Sequence, residues 1–360
     1  MKVLMKGNEA VAEAAIRAGC RHYFAYPITP QSELIEYMAK MMPKVGGTFV
    51  QAESEIAAIN MVYGAAGCGK RAMTSSSSPG ISLKQEGISY CSGAELPCVV
   101  VNVQRGGPGL GDIQPAQGDY FQATKGGGHG DYRIIVLAPA SVQEFADMAA
   151  QAFDLADKYR NPVMILSDGM LGQMMEPVEF AEPATEDDLE RLDKQHWDWC
   201  MHPNQDEPNH HHHEINSLEI DPVVLEQHVI ALGKKFDRME AAEKSWEEYN
   251  LAPDNEILCV AFGTASRIVK SAIDDLKEEG VNIGLIRPIN VWPYPSEAIA
   301  AALTDKTKLV YTFELSLGQM VEDVRLAVNG KAPVEFYGKV GGIVFTPEEV
   351  KDKLKLALKV

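Results

Sequence analysis

The segment Tyr26-Pro27-Ile28-Thr29-Pro30-Gln31-Ser32-Glu33 separates two different hydrophobic patterns. Before it, residues 22–26 form a short apolar run typical of a buried strand; after it, apolar side chains recur at helical spacing. Because proline restricts its own φ and the residue before it, we expect Thr29 to lie on a stiff turn at the carboxyl end of the strand. Ligands bind at this end of the strands in open α/β sheets. The turn therefore either presents Thr29 to a ligand or uses Thr29 or Ser32 only to cap the next helix.

Outward from this turn, residues 8–168 alternate helical patterns with short β-rich runs. Such alternation predicts an α/β fold with an open, mostly parallel sheet and helices on both faces. The predicted strands are His22–Tyr26, Thr48–Val50, Arg71–Thr74, Cys98–Val103, Ile134–Leu137 and Val163–Leu166. The predicted helices are Asn8–Gly19 with Asn8 as its N-cap, Ser32–Met42, Ser54–Gly67, Gly80–Tyr90 and Val142–Lys158.

The rest of the chain divides into an acidic connection and a second, smaller α/β domain. Residues 181–252 contain three of the four tryptophans and the tract His210–His213, which we interpret as a solvated loop rather than a metal site. A charged helix over about 221–249 is predicted to end this connection. The domain 253–360 has predicted strands Ile257–Phe262, Val281–Ile286, Leu309–Phe313 and Val334–Tyr337, and helices beginning near Ser266, Ser296, Gly318 and Pro347. Residues 1–180 form the first domain.

The composition excludes several functional classes. A formal net charge of −18 over 360 residues argues against nucleic acid or an anionic membrane as the main partner, since both bind basic surfaces. No apolar run approaches the ~20 residues that span a bilayer, and the apolar start is too short for a secretory signal. The six cysteines are scattered and no two have C-x-x-C spacing, which predicts a cytoplasmic chain with reduced thiols and no iron–sulfur cluster of its own.

Two glutamates, Glu53 and Glu55, stand where a strand leads into a helix of small, apolar residues. A carboxylate in a first helical turn can simply interact with the helix dipole. Alternatively, the carboxyl points into a cleft, where desolvation raises its pKa and it shares a proton with a heterocycle nitrogen. Both interpretations are open at this point.

Two further segments have the composition of anion-binding sites. The hydroxyl-rich turn Thr74-Ser75-Ser76-Ser77-Ser78-Pro79-Gly80 leads into a helix, where it either caps the helix or binds an anion with its N–H and hydroxyl groups. Arg105 follows a strand and begins the loop 104–130, which holds nine of the thirty glycines. A guanidinium at a strand end suits bidentate binding of a carboxylate, and a lone surface arginine is the alternative.

Several segments, taken together and in their order along the chain, resemble the alpha subunit of 2-oxoacid:ferredoxin oxidoreductases. The likeness is greatest to the branched-chain type that acts on 2-oxoisovalerate (3-methyl-2-oxobutanoate). The resemblance covers most of 1–180 and 250–360. The segments are Tyr26–Glu33, Glu53–Ala58, Thr74–Gly80, Gln104–Asp112, Gln117–Asp119, Ser167–Glu176, Gly341–Ile343 and Thr346–Glu349.

The resemblance implies a thiamine-diphosphate-binding domain of the pyrimidine type, followed by a domain like the C-terminal domain of transketolase. The implied reaction is the oxidative decarboxylation of a 2-oxoacid to acyl-coenzyme A and CO2 with reduction of ferredoxin. Glu55 matches the glutamate that hydrogen-bonds N1′ of the cofactor pyrimidine, and Pro27 and Ile28 belong to the cofactor pocket. Thr29 matches the hydroxyl that contacts the substrate, and Arg105 matches the cation that binds its carboxylate.

The resemblance also implies partner subunits. Thiamine enzymes hold magnesium and the diphosphate with a G-D-G motif, but Ser167-Asp168-Gly169 lacks the first glycine. A beta subunit is therefore expected to supply the Mg2+ and diphosphate site and a 4Fe-4S cluster, with gamma and ferredoxin-like subunits as possible additions. The alternatives are the same complex acting on pyruvate, 2-oxoglutarate or an aryl 2-oxoacid, a non-redox thiamine decarboxylase or transketolase-like subunit, and a non-catalytic scaffold.

Overall fold

A computed structural model describes residues 2–201 and 213–359, so His210, His211 and His212 of the histidine tract lie outside the described residues. The described strands are β1 Val3–Lys6, β2 His22–Ala25, β3 Thr48–Gln51, β4 Ala72–Ser76, β5 Cys98–Gln104, β6 Ile135–Leu137, β7 Pro162–Asp168, β8 Met175–Val178, β9 Trp246–Tyr249, β10 Ile257–Val260, β11 Gly284–Pro288, β12 Asn290–Trp292, β13 Leu309–Glu314 and β14 Val334–Gly338.

The described helices alternate with these strands. They are α1 Gly7–Arg17, α2 Ser32–Met41, α3 Glu55–Gly67, α4 Ser78–Gly93, α5 Tyr120–Thr124, α6 Val142–Tyr159, α7 Gly169–Gln173, α8 Glu186–Lys194, α9 Pro222–Ala242, α10 Gly263–Glu278, α11 Ser296–Ala302, α12 Met320–Val328 and α13 Pro347–Ala357, with a 3-10 helix at Met42–Val45. In the part of the chain that is described, no helix is both long and apolar enough to cross a bilayer.

The first part of the chain is built on a seven-stranded sheet with the spatial order β12-β6-β7-β5-β4-β2-β3. All neighbours in it are parallel except β12 and β6. The central strands β5 and β7 are buried along their whole length, as parallel strands covered by helices on both faces must be. The predicted α/β class and parallel sheet are confirmed.

A second, five-stranded sheet has the order β14-β13-β10-β11-β9. The prediction of one helix from 221 to 249 is wrong, because α9 ends at Ala242 and residues 246–249 form the antiparallel edge strand β9. On this strand Glu247 accepts a 2.7 Å hydrogen bond from the buried Arg287 of β11. The same charged residues are compatible with a solvated helix and with an ion-paired edge strand. Pairing with β11 determines that residues 246–249 form a strand.

One strand connects the two sheets. Asn290–Trp292, in the predicted second domain, pairs antiparallel with β6 at the edge of the seven-stranded sheet. The carbonyl of Ile289 also accepts a 2.8 Å hydrogen bond from the amide of Ala138. Backbone pairing therefore crosses the boundary predicted at residue 253.

The N-terminal helix supports the turn that contains Thr29. Asn8 is not its N-cap, as the sequence predicted, because the helix begins at Gly7 with Lys6 in the capping position. Asn8 is instead fully buried, and its amide donates to the Pro30 carbonyl at 2.8 Å and to Glu33 Oε2 at 3.0 Å. The Asn8 side-chain amide thus holds the turn that contains Thr29 in place.

Candidate active site

The predicted site residues lie at the carboxyl ends of four neighbouring strands. Glu55 follows β3, Thr29 follows β2, the turn before Gly80 follows β4, and Arg105 follows β5. These strands are neighbours in the sheet and run parallel. Their ends therefore converge on one edge of the sheet, where ligands bind in open α/β folds.

Glu55 is the first residue of α3, and Ser54 caps that helix by accepting a 3.2 Å hydrogen bond from the Ala57 amide. Only 6% of Glu55 is exposed. Within the described residues no donor binds its carboxylate, so the helix terminus is satisfied by Ser54 and the carboxylate is left for another partner. By contrast, Glu53 is exposed. The burial favours the cleft interpretation for Glu55 and the simple charge interpretation for Glu53.

A glycine makes room for the Glu55 carboxylate. A methyl group on Gly80, in the first turn of α4, would lie 2.6 Å from Glu55 Oε1 and 2.0 Å from Ser76 Oγ. Both distances are shorter than van der Waals contact, so a larger residue would displace one of the two groups. The helix begins two residues earlier than predicted, at Ser78, which places Gly80 inside its first turn.

Several buried polar atoms of the hydroxyl-rich turn and of the Thr29 turn have no hydrogen-bond partner among the described residues. They are Thr74 Oγ1, Ser76 Oγ, Ser77 Oγ and Gln31 Nε2. Ser77 is the N-cap residue of α4 but its hydroxyl makes no capping bond, so capping does not explain the hydroxyl-rich turn. Buried polar groups are normally paired. Ser76 Oγ lies beside the Glu55 carboxyl at Gly80, and an unpaired hydroxyl beside a buried carboxyl fits a polar heterocycle such as an aminopyrimidine.

Arg105 is buried, with 8% exposure, and is not a lone surface arginine. Its Nη1 donates to the Thr29 carbonyl at 2.9 Å and its Nη2 to the Leu110 carbonyl at 3.0 Å, whereas its Nε has no described partner. No carboxylate of residues 2–201 or 213–359 forms an ion pair with it. A buried cation that is bound only by carbonyl groups is suited to an anionic ligand.

The turn of Thr29 is open to solvent. Thr29 and Pro27 are exposed and Ile28 is half-buried. Gln31, rather than Thr29 or Ser32, occupies the N-cap position of α2, and no side chain caps that helix, so the capping interpretation does not hold. The Arg105 guanidinium joins this turn to the end of β5, but Thr29 and Arg105 line two different clefts, of about 660 and 590 Å3, and Glu55 lines neither.

The structure adds Asp119 to the residues that shape the site. Its Oδ2 accepts hydrogen bonds from Ser78 Oγ at 2.6 Å and from Asn102 Nδ2 at 2.8 Å, and burial raises its pKa. These bonds fix the first turn of α4 against the end of β5, and with it the position of Gly80. In the sequence this aspartate belongs to the motif Gln117-Gly118-Asp119, which by itself does not indicate these bonds.

The incomplete G-D-G motif has a structural role in this chain. Asp168 Oδ1 accepts the amide hydrogens of Met170 at 2.9 Å and Leu171 at 3.2 Å, which caps α7. Burial raises its pKa. The described residues contain no group of three or more His, Cys, Asp or Glu side chains that could hold a metal ion.

Comparison with known families identifies the class of protein. The family model described as pyruvate flavodoxin/ferredoxin oxidoreductase, thiamine diphosphate-binding, matches residues 13–248, and that of pyruvate:ferredoxin oxidoreductase core domain II matches residues 255–350. The chain is a 2-oxoacid:ferredoxin oxidoreductase subunit. The resemblance predicted from the motifs is confirmed, and with it the class of enzyme and the thiamine-diphosphate-binding type of its first domain.

Curated relatives match this oxidoreductase subunit over nearly its whole length. The ketoisovalerate oxidoreductase subunit VorB of Methanothermobacter thermautotrophicus is 49% identical over 98% of this chain and 97% of the relative. The 2-oxoglutarate synthase subunit KorA of Methanocaldococcus jannaschii is 38% identical over 98% of this chain and 99% of the relative.

Solved structures of known proteins resemble the fold of this chain. A 2-oxoglutarate:ferredoxin oxidoreductase from Magnetococcus marinus, solved with 2-oxoglutarate, coenzyme A and succinyl-CoA bound, matches with a TM-score of 0.83 and 29% identity. It covers 99% of this oxidoreductase subunit, which in turn spans 65% of that chain. A split-gene transketolase matches with a TM-score of 0.55 at 14% identity, which shows a shared fold only.

Proposed function

We propose that this chain supplies the pyrimidine side of a thiamine diphosphate site in a complex that oxidatively decarboxylates a branched-chain 2-oxoacid. The complex would convert the oxoacid and coenzyme A to acyl-coenzyme A and CO2, and pass the two electrons to ferredoxin. The observation that carries the proposal is the buried Glu55 carboxyl, which lies against Gly80 and lacks a described donor. Full-length similarity to a ketoisovalerate oxidoreductase subunit supports the choice of substrate.

Glu55 would hold a proton at N1′ of the aminopyrimidine. Thiamine diphosphate, when bound, supplies the electron sink on which a 2-oxoacid loses CO2. A glutamate held in a water-poor site keeps its proton shared with the ring nitrogen instead of losing it to solvent. Ser54 already caps α3, so the carboxyl is free for this contact.

Arg105 and Thr29 would bind the substrate. The guanidinium has an unpartnered Nε and no described counter-ion, so a carboxylate entering from the cleft would gain a charge-assisted hydrogen bond. Thr29 presents an exposed hydroxyl on a turn that Arg105 and Asn8 hold in place. Pro27 and Ile28 would contribute the adjoining wall of the cofactor pocket.

The remaining parts would come from partners in the cytoplasm. Because Asp168 caps α7 in this chain, we propose that a beta subunit brings the Mg2+ and diphosphate site together with a 4Fe-4S cluster. Gamma and ferredoxin-like subunits would complete the path to ferredoxin. Within this chain, residues 1–180 would bind the pyrimidine, 181–252 connect the parts, and 253–360 form the transketolase C-terminal-like domain.

The native complex tests the substrate and the partners together. It would be purified from its own cell through this chain, its iron and co-eluting subunits measured, and a panel of oxoacids assayed with a viologen dye. We expect the highest kcat/KM for 3-methyl-2-oxobutanoate. A preference for pyruvate, 2-oxoglutarate or an aryl oxoacid would reject the branched-chain assignment, and an iron-free complex would reject the redox reaction.

Substituting Gly80 by alanine should weaken binding of thiamine diphosphate to the assembled complex about tenfold, because the new methyl group displaces Glu55 or Ser76. Cofactor affinity would be measured by fluorescence titration. Gly233→Ala in α9 is the matched control, since a methyl group there meets no atom within 4 Å. Equal affinities for the two variants would show that the space left by the missing side chain of Gly80 does not shape the cofactor site.

A further inference from the structure

Lys84 is a fully buried lysine that the proposed mechanism does not use. None of its surface is exposed, and its Nζ makes one described hydrogen bond, 3.3 Å long, to the backbone carbonyl of Glu55. Lysines are almost never fully buried without a charged partner, because an ammonium group loses its hydration in the interior. A lysine in this position therefore needs a physical reason.

The position of Lys84 on α4 supplies that reason. Lys84 follows Gly80 by four residues and precedes Gly87 by three, so all three lie on one face of the helix. Gly80 leaves space for the Glu55 carboxylate, and Gly87 lies so close to α3 that a methyl group there would be 2.6 Å from Ile59 Cγ2. The two glycines bring the helices together, and Lys84 extends between them to the first turn of α3.

We propose that Lys84 is a positioning residue for Glu55, holding the first turn of α3 by its carbonyl and acting through its positive charge on the carboxyl that meets the cofactor pyrimidine. This inference rests on the proposed function of Glu55. A cation held at the first turn of α3 would favour the ionised form of the carboxyl, which would make it easier for Glu55 to release its proton to the ring nitrogen. Without the cation, the buried carboxyl would keep that proton more tightly.

Among the described charged groups, Glu55 is the one whose charge influences the pKa of Lys84. Other described ionisable groups around α4 have hydrogen-bond or side-chain partners other than Lys84. Asp119 accepts from Ser78 and Asn102, Tyr132 donates to Gln85, Tyr90 donates to Glu86, Cys98 interacts with Cys91, and His228 contacts the Gly93 carbonyl. Burial lowers the pKa of Lys84 to about 7, and the charge of Glu55 opposes that shift.

The test compares Lys84→Met with wild type in the assembled complex. We expect exchange of the C2 proton of bound thiamine diphosphate, measured at or below about pH 7 where Lys84 is charged, to slow about tenfold, and its pH profile to move upward because the Glu55 carboxyl loses a neighbouring cation. Lys235→Met is the matched control: Lys235 is also buried, but it donates to Glu95 and to the Arg160 carbonyl. That control should leave the pH profile unchanged.

Lys84→Gln separates charge from anchoring. Its amide can still donate to the Glu55 carbonyl but carries no charge. Because the charge is lost, the pH profile should shift as in Lys84→Met. This variant also replaces the methionine variant if that one fails to assemble. An unshifted profile in the variant that assembles would overturn the proposal. If Glu55→Gln slows exchange while Lys84→Gln does not, only the inference about Lys84 fails; if Glu55→Gln exchanges at the wild-type rate, the proposed function fails as well.

Thermal unfolding of the full chain gives a readout independent of the cofactor. Between the folded-state pKa near 7 and the ordinary value of 10.5, the unfolded chain binds more protons at Lys84 than the folded chain. The stability of wild type should therefore rise with pH across this window, and the cost of the buried charge is fully present below pH 7.

We expect Lys84→Met to unfold at a higher temperature than wild type at pH 7, with the difference disappearing by about pH 10.5. A difference that does not change with pH would contradict a buried charge at this position.

Discussion

Replacing Glu55 with glutamine should slow exchange of the C2 proton of thiamine diphosphate in the assembled complex by about 10²- to 10⁴-fold, the usual contribution of a positioned acid or base. Glutamine keeps the size of the side chain but has no carboxyl proton to share with N1′. Exchange would be followed by proton NMR of the cofactor after transfer into D2O and acid quench. Because Glu55 is buried against Gly80, the near-isosteric amide should still fit.

Glu53→Gln is the control for this experiment. It removes the same charge two residues earlier, at a position that is exposed to solvent. We expect both variants to assemble and only Glu55→Gln to lose exchange. Wild-type exchange in Glu55→Gln would show that this carboxyl does not meet the cofactor, and the chain would then be better described as a scaffold within its complex.

Arg105→Met should lower kcat/KM for 2-oxoacids by about 10²-fold or more, since a charged hydrogen-bonding group is lost from a site that binds a carboxylate. Most of the effect is expected in KM, because in the proposed site the guanidinium binds the substrate before the reaction begins. The dissociation constant of thiamine diphosphate should change much less, since in the proposed site Glu55 contacts the cofactor and Arg105 does not. Steady-state assays and cofactor titration on the same preparation would separate the two effects.

A structural contribution of Arg105 must be distinguished from a role in binding. The guanidinium also supports the Thr29 and Leu110 carbonyls, so its loss could loosen the turn. Arg133→Met removes an exposed guanidinium that, among the described residues, donates only to the carbonyl of Tyr132, and it should leave KM unchanged. If Arg105→Met weakened cofactor binding as much as substrate binding, the residue would be a support of the turn and not a carboxylate ligand.

The candidate residues could be selected from the sequence because their signals are local. Each of Thr29, Glu55 and Arg105 follows a short apolar run, and parallel strands bring their carboxyl ends to one edge of a sheet. The alternation of strands and helices was therefore enough to predict that these residues would lie at the same edge. The burial of Glu55 and Arg105 agrees with the functional interpretation of each.

The features that the sequence did not predict depend on tertiary packing. Nothing local marks Lys84 as buried, because its burial results from the two glycines that bring α4 close to α3. The strand Trp246–Tyr249 has a charged pattern that also suits a helix, and its ion pairs with Arg287 of β11 and Lys270 of α10 form only once those two elements are in place. The strand Asn290–Trp292 has only three residues, too few for a periodic signal.

The short strand Asn290–Trp292 has a consequence for dissecting the chain. A fragment that ended near residue 253 would leave Ile135–Leu137 without its antiparallel neighbour, and would expose an apolar edge with unpaired amides and carbonyls. Such an edge invites aggregation with other copies of the fragment. Any recombinant piece intended to carry the cofactor half alone should therefore extend at least to Trp292, or replace that strand with an equivalent one.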